Sequence, residues 1–523
     1  MRKELVLAID VGTQSVRVLA FDARGLLIDS ASIVYPLPYR SPRPGWAEQD
    51  PGYYWQCLAE SCRKLWSAGL VSPDALAAVS VTTQRATMVN LDGQGNPLRP
   101  AIVWLDQRRA GQLPSLGCPW RILFRLAGLF DTLHYLQAEA EVNWLRENQP
   151  DIWEKTAHYL FLSGYLAYRL TGNFVDSAGC QVGYMPFDFR EQQWAAPSNW
   201  KWQAIPLDRE ILPELVSPGT RLGNITREAA RATGLPHGLP VIAAASDKAC
   251  EVLGAGCLEA HQGCVGYGTT ATINVNVRQY IEPIRLIPPY PSACPGAYNM
   301  EVQIYRGFWM VSWFKEEFAW HERNLARQAG VRTEELLEEM VAKVPPGSMG
   351  LILQPFWSPG VRYPGPEAKG AMIGFGGVHT RAHMYRALLE GLAYAVRDGR
   401  ERIEKRTKVP IRELFVCGGG SKSDQMMQIT ADVFGLPAAR TAVYEASGLG
   451  AAVLAALGAG LHADLETAVR EMTAVGRVFA PHARSVEIYD KLYRKVYRHM
   501  YGKLRPLYKA IQYITGYPKK AGR

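Results

Sequence analysis

Three short stretches of this chain combine glycine, small hydroxyl residues and acids in the way that phosphate-holding turns do. The first, Asp10-Val-Gly-Thr-Gln-Ser15, closes an apolar run with a carboxylate and continues through Gly12 and Thr13. A glycine there lets backbone N–H groups approach a phosphate closely, and Asp10 would hold a magnesium ion through water. A hairpin whose Asp and Thr merely satisfy their own turn is the competing account of this stretch taken alone. The second stretch, Gly266-Tyr-Gly268-Thr269-Thr270, is the same device presented from the other half of the chain. Two such turns facing each other would clamp a triphosphate from both sides. In the third, the apolar run Glu413 to Cys417 delivers Gly418, Gly419 and Gly420 to Ser423 and a helix start. A flat, partly anionic ligand can lie against such a surface, and an adenine or ribose fits it.

Two further groups would supply the other reactant. Val241 to Ala245 ends in Asp247-Lys248. A carboxylate at the end of a buried strand, facing a cleft, can accept a proton from a substrate hydroxyl, although an acid in that position also serves as an ordinary helix cap. The runs Val81-Thr-Thr-Gln84-Arg85 and Ala101-Ile-Val-Trp104-Leu-Asp106-Gln-Arg108 place polar and aromatic residues at strand ends, where open α/β sheets bind ligands. These suit a polyhydroxylated substrate; ion pairing of Asp106 with Arg108 or Arg109 at the surface is the alternative. The helix opening Glu445-Ala-Ser-Gly-Leu-Gly-Ala451 admits either a ligand or close helix packing.

The elements that must position these residues can be read from patterning. Leu5 to Asp10, Ser15 to Asp22 and Leu26 to Val34 predict three antiparallel strands. Asp50-Pro51 starts a helix that carries Trp55, Leu58, Cys62, Leu65 and Trp66 on one stripe to about Gly69. Strands are expected at Leu76 to Val81, Thr87 to Leu91 and Ala101 to Trp104, and helices at Ala138 to Trp144 and around Tyr159 to Leu170. Near residue 260 the opening returns, with Gly263 to Tyr267, a Gly-Thr turn, and the alternating run Ala271 to Val277. A repeat at half the chain length indicates duplicated domains rather than a solenoid. Helices at Ala382 to Val396, Ser423 to Phe434 and Glu445 to Gly460 and a strand at Glu413 to Cys417 complete the second half, with the boundary near Gly256 to His261.

Composition sets the frame. A chain of 523 residues exceeds what one core supports, so two domains of roughly 250 residues each, with a cleft between them, are expected. With 48% apolar and 20% charged residues the composition is that of an ordinary globular protein. The short apolar run after Met1 is no signal segment, and no stretch of ~18 apolar residues appears, so a cytoplasmic protein without a membrane partner is expected. The nine cysteines lack metal-ligand spacing and are expected as buried free thiols. A formal charge of +9 would suit a polyanion. Much of it lies between residues 491 and 509, interleaved with Tyr489, Tyr493, Tyr497 and Tyr501 at a helical interval. A closing helix that packs its tyrosines and solvates its cations accounts for this better than nucleic-acid binding.

Taken in order from Asp10 to about Gly460, these motifs resemble the FGGY family of carbohydrate kinases, as do Pro44-Gly-Trp-Ala-Glu-Gln-Asp50, Leu98 to Trp104, and Gly370 to Gly374 through Ala387 to Gly391. The resemblance implies an α/β chain of two ribonuclease-H-like domains in the actin-like ATPase fold, using ATP and Mg2+. It divides the chain into an N-terminal domain over residues 1–257, a C-terminal domain over 258–480 and a basic, Tyr-rich helical extension over 481–523. By matched position Asp247 would be the catalytic base and Asp10 a magnesium partner. Thr13, Gln14, Ser15 and Arg17 would face the phosphates from one side and Gly268, Thr269 and Thr270 from the other. Gly419, Gly420 and Ser423 would lie beside the nucleoside, and Gln84, Arg85, Trp104 and Lys248 beside the sugar or polyol.

Departures from the family bear on the substrate. Ala86 stands where glycerol kinases carry glutamate, which argues against glycerol, and Lys248 replaces the Asn or Gln that follows the base in glycerol and xylulose kinases. A cation there would pair with a substrate carboxylate or with Asp247, lowering the pKa of that acid. The segment around Ala138, Glu141 and Trp144 also lacks a lysine of one family signature. A pentulose-type or an acidic sugar is therefore open as acceptor, and a second copy of the chain is open as partner. The alternative function is an actin-like, nucleotide-dependent scaffold with little transfer activity.

Overall fold

The computed structural model describes residues 4–283, 287–360 and 363–517. Its framework is a topology used twice. In the first half β1 (Leu5–Val11), β2 (Ser15–Asp22), β3 (Leu27–Val34), β4 (Leu76–Thr83), β5 (Arg221–Asn224) and β6 (Pro240–Ala243) form a sheet in the order β5-β6-β4-β1-β2-β3. In the second half β7 (Gln262–Tyr267), β8 (Ala271–Val277), β9 (Tyr290–Pro291), β10 (Tyr298–Ile304), β11 (Glu413–Cys417), β12 (Ala438–Thr441) and β13 (Val475–Phe479) form a sheet in the order β9-β10-β8-β7-β11-β12-β13. Strands β1-β2-β3 and β7-β8-β10 are antiparallel meanders. Strands β4 and β6 add in parallel beside β1, just as β11 and β12 add beside β7. The half-chain repeat is thus a repeat of strand order, and the Gly-Thr turns are present; of the strand expected at Ala101 to Trp104 only Ala101–Ile102 forms.

Six of the seven residues of β1 are buried, because helices cover both faces of its sheet. On one face lies the helix Pro51–Ser67, started by the Asp50 side chain accepting from Gly52 N at 2.8 Å. On the other lies the helix Ala446–Gly458, whose Leu449, Val453 and Leu454 pack with Val6, Ala8 and Leu19. That helix crosses the helix Asp247–Gly254 so closely that a Cβ on Gly254 would sit 2.0 Å from Ala446 O and one on Gly450 1.9 Å from Cys250 O. Of the two accounts open for Glu445 to Ala451, packing explains the small residues. A division of the chain at 257/258 therefore separates the sheets but not the packing, since residues 446–458 serve the first sheet.

Several local expectations are corrected. Ala138 to Trp144 is not one helix: Phe130–Glu139 and Glu141–Asn148 meet at Ala140, whose ψ of 114° is extended. Tyr159 to Phe161 is strand, pairing with Met88, Val89 and Asn90, and the helix begins only at Leu162. Cross-strand pairing outweighs local helical spacing there. The helix expected at Ala382 to Val396 runs from Arg381 to Thr407. Among the cysteines Cys118 is exposed, and the other eight are buried thiols.

The C-terminal tyrosines face inward as their spacing requires. Tyr489, Tyr493, Tyr497 and Tyr501 are all buried, and the first three ring Tyr394 at centroid distances of 5.1–6.1 Å. Beneath them Glu390 accepts from Gly347 N (3.0 Å), Ser348 Oγ (2.9 Å), Arg386 Nε (2.8 Å) and Tyr489 OH (2.7 Å). Removing that carboxylate strands a buried guanidinium and two buried hydroxyls. We expect Glu390→Ala to destabilise the second half by about 3 kcal/mol in urea unfolding followed by tryptophan fluorescence, whereas a surface Glu60→Ala costs under ~0.5 kcal/mol.

Candidate functional site

The site is built from strand ends. β1 ends at Asp10 and Val11, and its turn closes with Gly12 N donating to Ser15 O at 3.0 Å. Beside it β4 ends at Thr83, and the Gln84 N–H donates to Val11 O at 2.9 Å, which brings Gln84 and Arg85 next to the first Gly-Thr turn. The Trp104 Nε1–H donates to Thr13 Oγ1 at 2.8 Å, tying the two groups together a second time. Gln84 is buried, its Nε2 donating to Tyr54 OH at 3.0 Å while its Oε1 has no protein partner. The opposite turn closes in the same manner, with Gly268 N donating to Thr270 O at 2.9 Å. Nothing in the packing demands glycine at either turn. A Cβ at Gly12 would meet only Ser15 O at 3.6 Å, and one at Gly268 only Thr270 O at 3.8 Å. Each glycine thus borders open space, the condition a phosphate needs to approach backbone N–H groups.

The third glycine run adjoins the second turn. Gly418, at φ +80°, lies so near that a Cβ would come within 2.9 Å of Tyr267 O, while Gly419 faces open space. The helix start that follows is already neutralised: Glu338 accepts from Ser423 Oγ and from Gln425 N (3.0 Å), and Ser423 Oγ caps Met426 N at 2.9 Å. An anionic group is therefore not favoured there, and the surface suits an uncharged base or ribose.

Asp247 opens the helix that follows β6 and lies between the two sheets. Burial raises its pKa above the ordinary carboxylate value, and Arg85 and Lys248 oppose that shift without cancelling it. The net depression expected from Lys248 is thus corrected, because desolvation outweighs it. Lys248 does not reach a free carboxylate position either: its Nζ donates to both Glu251 oxygens at 3.0 Å. Glu251 is the residue missed beside it, although a carboxylate one helical turn after Asp247 was visible as D-K-A-C-E. It stands against β7, where a Cβ on Gly266 would be 2.3 Å from its Oε1. Cys264 and Cys417 lie nearby with sulfurs 3.7 Å apart, and the three groups could face one cation, but the ammonium already holds the carboxylate. Asp10, which Arg17 approaches at 3.7 Å, is raised to about 6 by burial, with Asp247 and Glu251 adding to the shift.

Arg85 crosses the gap. From the first sheet its Nη1 and Nη2 donate to Glu301 Oε2 and Oε1 of β10 at 3.1 and 2.9 Å, and its Nε lies 4.0 Å from Asp247 Oδ1. Ala86, next in the chain, takes φ 48°, the turn that directs Arg85 away from β4. Tyr290 lies under the guanidinium at 5.1 Å, and Tyr135, Tyr184 and Tyr305 share the same electrostatic environment. None of these residues was singled out from sequence. Asp106 does pair with Arg108, at 2.6 Å, but both are buried, and Asp106 also accepts from Ala47 N, so the pair is a structural tie rather than a surface contact.

Two sheets of the same strand order, each with a Gly-Thr turn after its first strand, make up the actin-like ATPase fold. Comparison with known proteins takes this further. Residues 5–254 match the N-terminal domain, and residues 263–459 the C-terminal domain, of the FGGY family of carbohydrate kinases. A xylulose kinase of Lactococcus lactis subsp. lactis is 30% identical over 506 residues, covering 95% of this chain and 96% of that protein. The crystal structure of xylulose kinase from Rhodospirillum rubrum superposes with a TM-score of 0.77 at 25% identity, covering 97% and 100% of the two chains. That of gluconate kinase from Lactobacillus acidophilus gives 0.76 at 22% identity, covering 98% of each. The chain belongs to the FGGY family of carbohydrate kinases and is an ATP-dependent sugar phosphotransferase. Among the described residues no helix is long and apolar enough to cross a membrane.

Proposed function

We propose that the protein transfers the γ-phosphoryl group of ATP to a hydroxyl of a ketose or polyol, with Asp247 as the base. The observation that carries this is the placement of Asp247 between the two sheets, 4.0 Å from Arg85 and within electrostatic reach of Asp10. In this reading residues 1–257 bring the acceptor site and the base, 258–480 the nucleotide site, and 481–523 a closing helical extension. Gln84, Arg85 and Trp104 orient the sugar. The N–H groups and hydroxyls of Thr13, Gln14, Ser15, Thr269 and Thr270 hold the phosphates in line, aided by Arg17, and Gly419 and Gly420 lie against the nucleoside. Ser423, bound to Glu338 and capping its helix, shapes that surface rather than donating to it.

The buried Asp10 carboxylate, raised to about 6 among other acids, is a fitting partner for Mg2+ held through water. The ion's contribution when bound is to offset charge on the transferring phosphate. Asp247 takes the proton of the attacking hydroxyl, and closure of the lobes excludes water from the transfer. Lys248 is a positioning residue here: it fixes Glu251 against β7 and leaves the Asp247 carboxylate toward the gap.

Both acids act ionised. Asp10 carries a pKa of about 6 and that of Asp247 is raised, so activity is present above these values and lost as pH falls through them. The acid limb of kcat/KM is accordingly expected near pH 6; a limb in the ordinary carboxylate range, about 4, contradicts this placement. The direct test of the function is ADP release in the presence of pentuloses, hexuloses, polyols and aldonic acids. Acceptor-dependent release is expected, whereas slow hydrolysis indifferent to every sugar would favour a nucleotide-dependent scaffold.

A further inference from the structure

The likeness to a xylulose kinase and to a gluconate kinase leaves open whether the acceptor is neutral or acidic, and the charges around Arg85 bear on that choice. We propose that Glu301, carried into the acceptor site by the second lobe, restricts the substrate to neutral ketoses and polyols and excludes sugar acids. This rests on the kinase function proposed above.

The pair is bidentate, with both terminal nitrogens of Arg85 on the two oxygens of Glu301, and the Glu301 side chain is only 3% exposed. Such a fork is the arrangement by which an arginine would otherwise recognise a substrate carboxylate. A sugar acid would therefore have to expel Glu301 from the guanidinium and leave a second carboxylate unpaired in a buried place. It would also face Asp247, whose carboxylate shares the same cation at 4.0 Å. Three other cations of this region lie beside acids. Lys248 is held by both oxygens of Glu251, Arg109 pairs with Glu139, and Arg17 approaches Asp10 at 3.7 Å.

A neutral hydroxyl meets no such barrier. A guanidinium has five N–H donors, and Glu301 engages only two, so Arg85 can still donate to a sugar oxygen. Around it the phenols of Tyr184 and Tyr290, half-buried, and of the exposed Tyr305 have raised pKa values, so each stays neutral and able to give and to accept a hydrogen bond. Because Arg85 comes from the first lobe and Glu301 from the second, the selectivity arises only where the lobes meet.

The experiment compares kcat/KM for ketoses and polyols with that for aldonates of the same carbon number, in the wild type, Glu301→Gln and Glu301→Asp. The wild type is expected to use only neutral acceptors. Glu301→Gln frees a fork of the guanidinium, and the ratio of acid to neutral turnover should rise by at least ~100-fold, while Glu301→Asp should stay within ~3-fold of wild type. Wild-type turnover of an aldonate at a rate comparable to its neutral counterpart, or a ratio unmoved in Glu301→Gln, overturns the proposal and leaves the kinase function standing. Should Glu301→Gln fail to fold, competition in the wild type decides: an aldonate at ~100 times the neutral sugar's KM is expected not to slow turnover, and inhibition overturns the proposal. No ADP release with any member of the panel overturns the kinase function, and this inference with it.

Discussion

Asp247→Asn is expected to lower kcat by at least ~100-fold while leaving ATP affinity within ~2-fold. Asparagine keeps the shape of the side chain and can still accept from the Lys248 N–H, which donates to Asp247 Oδ1 at 2.8 Å. What it loses is the ability to receive a proton. Nucleotide contacts in this account come from the turns at 12–15 and 268–270 and from the glycines at 418–420, none of which relies on the Asp247 side chain. Binding and turnover should therefore separate. Single-turnover measurement with saturating sugar gives the rate, and fluorescence titration with ATP gives the affinity; near-normal turnover removes Asp247 from its role.

Arg85→Ala should raise the KM for the sugar by ~10 to 100-fold and that for ATP by less than ~3-fold. The guanidinium lies 4.0 Å from Asp247 and, through Glu301, reaches the second lobe. Its loss takes away a charge-assisted donor to the acceptor and leaves the Glu301 carboxylate buried without its partner. Lysine would not restore the effect, since a point charge cannot span both oxygens of Glu301 while donating to a sugar. Steady-state kinetics with each substrate varied in turn provides the comparison. Equal changes in the two KM values would mean that Arg85 holds the lobes together without meeting the sugar.

What could be seen in the chain beforehand follows the range of the interactions. The Asp50 cap, the meander of β1 to β3 and the two Gly-Thr turns depend on neighbours a few residues apart, and periodicity and turn chemistry report such neighbours. The inward stripe of Tyr489, Tyr493 and Tyr497 was legible for the same reason. Tyr159 to Phe161 was misread as helix because its partners, Met88 to Asn90, lie far away in sequence and their pairing overrides local spacing. Lys248 was legible as an unusual cation but not as a partner of Glu251, since a lysine next to Asp247 suggests that acid first. Glu301 was invisible for a stronger reason. Its only distinguishing contact reaches 216 residues back along the chain, and no pattern within β10 separates an acid that crosses the gap from one that faces solvent.

Domain packing shows the same limit. The helix Ala446–Gly458 looked like a member of the second half with a doubtful ligand role, yet it completes the core of the first sheet through Gly254 and Gly450. This helix pair thus ties residues of the second half to the first sheet. The buried carboxylates of Asp10 and Glu251 and the partly exposed one of Asp247 lie near that same junction.

A structure of the protein crystallised with Mg2+ and a non-hydrolysable ATP analogue tests most directly whether one carboxylate and two opposed turns serve a single nucleotide. The expected result is a triphosphate between residues 12–15 and 268–270, its terminal phosphate facing the Asp247 carboxylate across room for one hydroxyl. A nucleotide bound elsewhere, or a terminal phosphate turned away from Asp247, would contradict it.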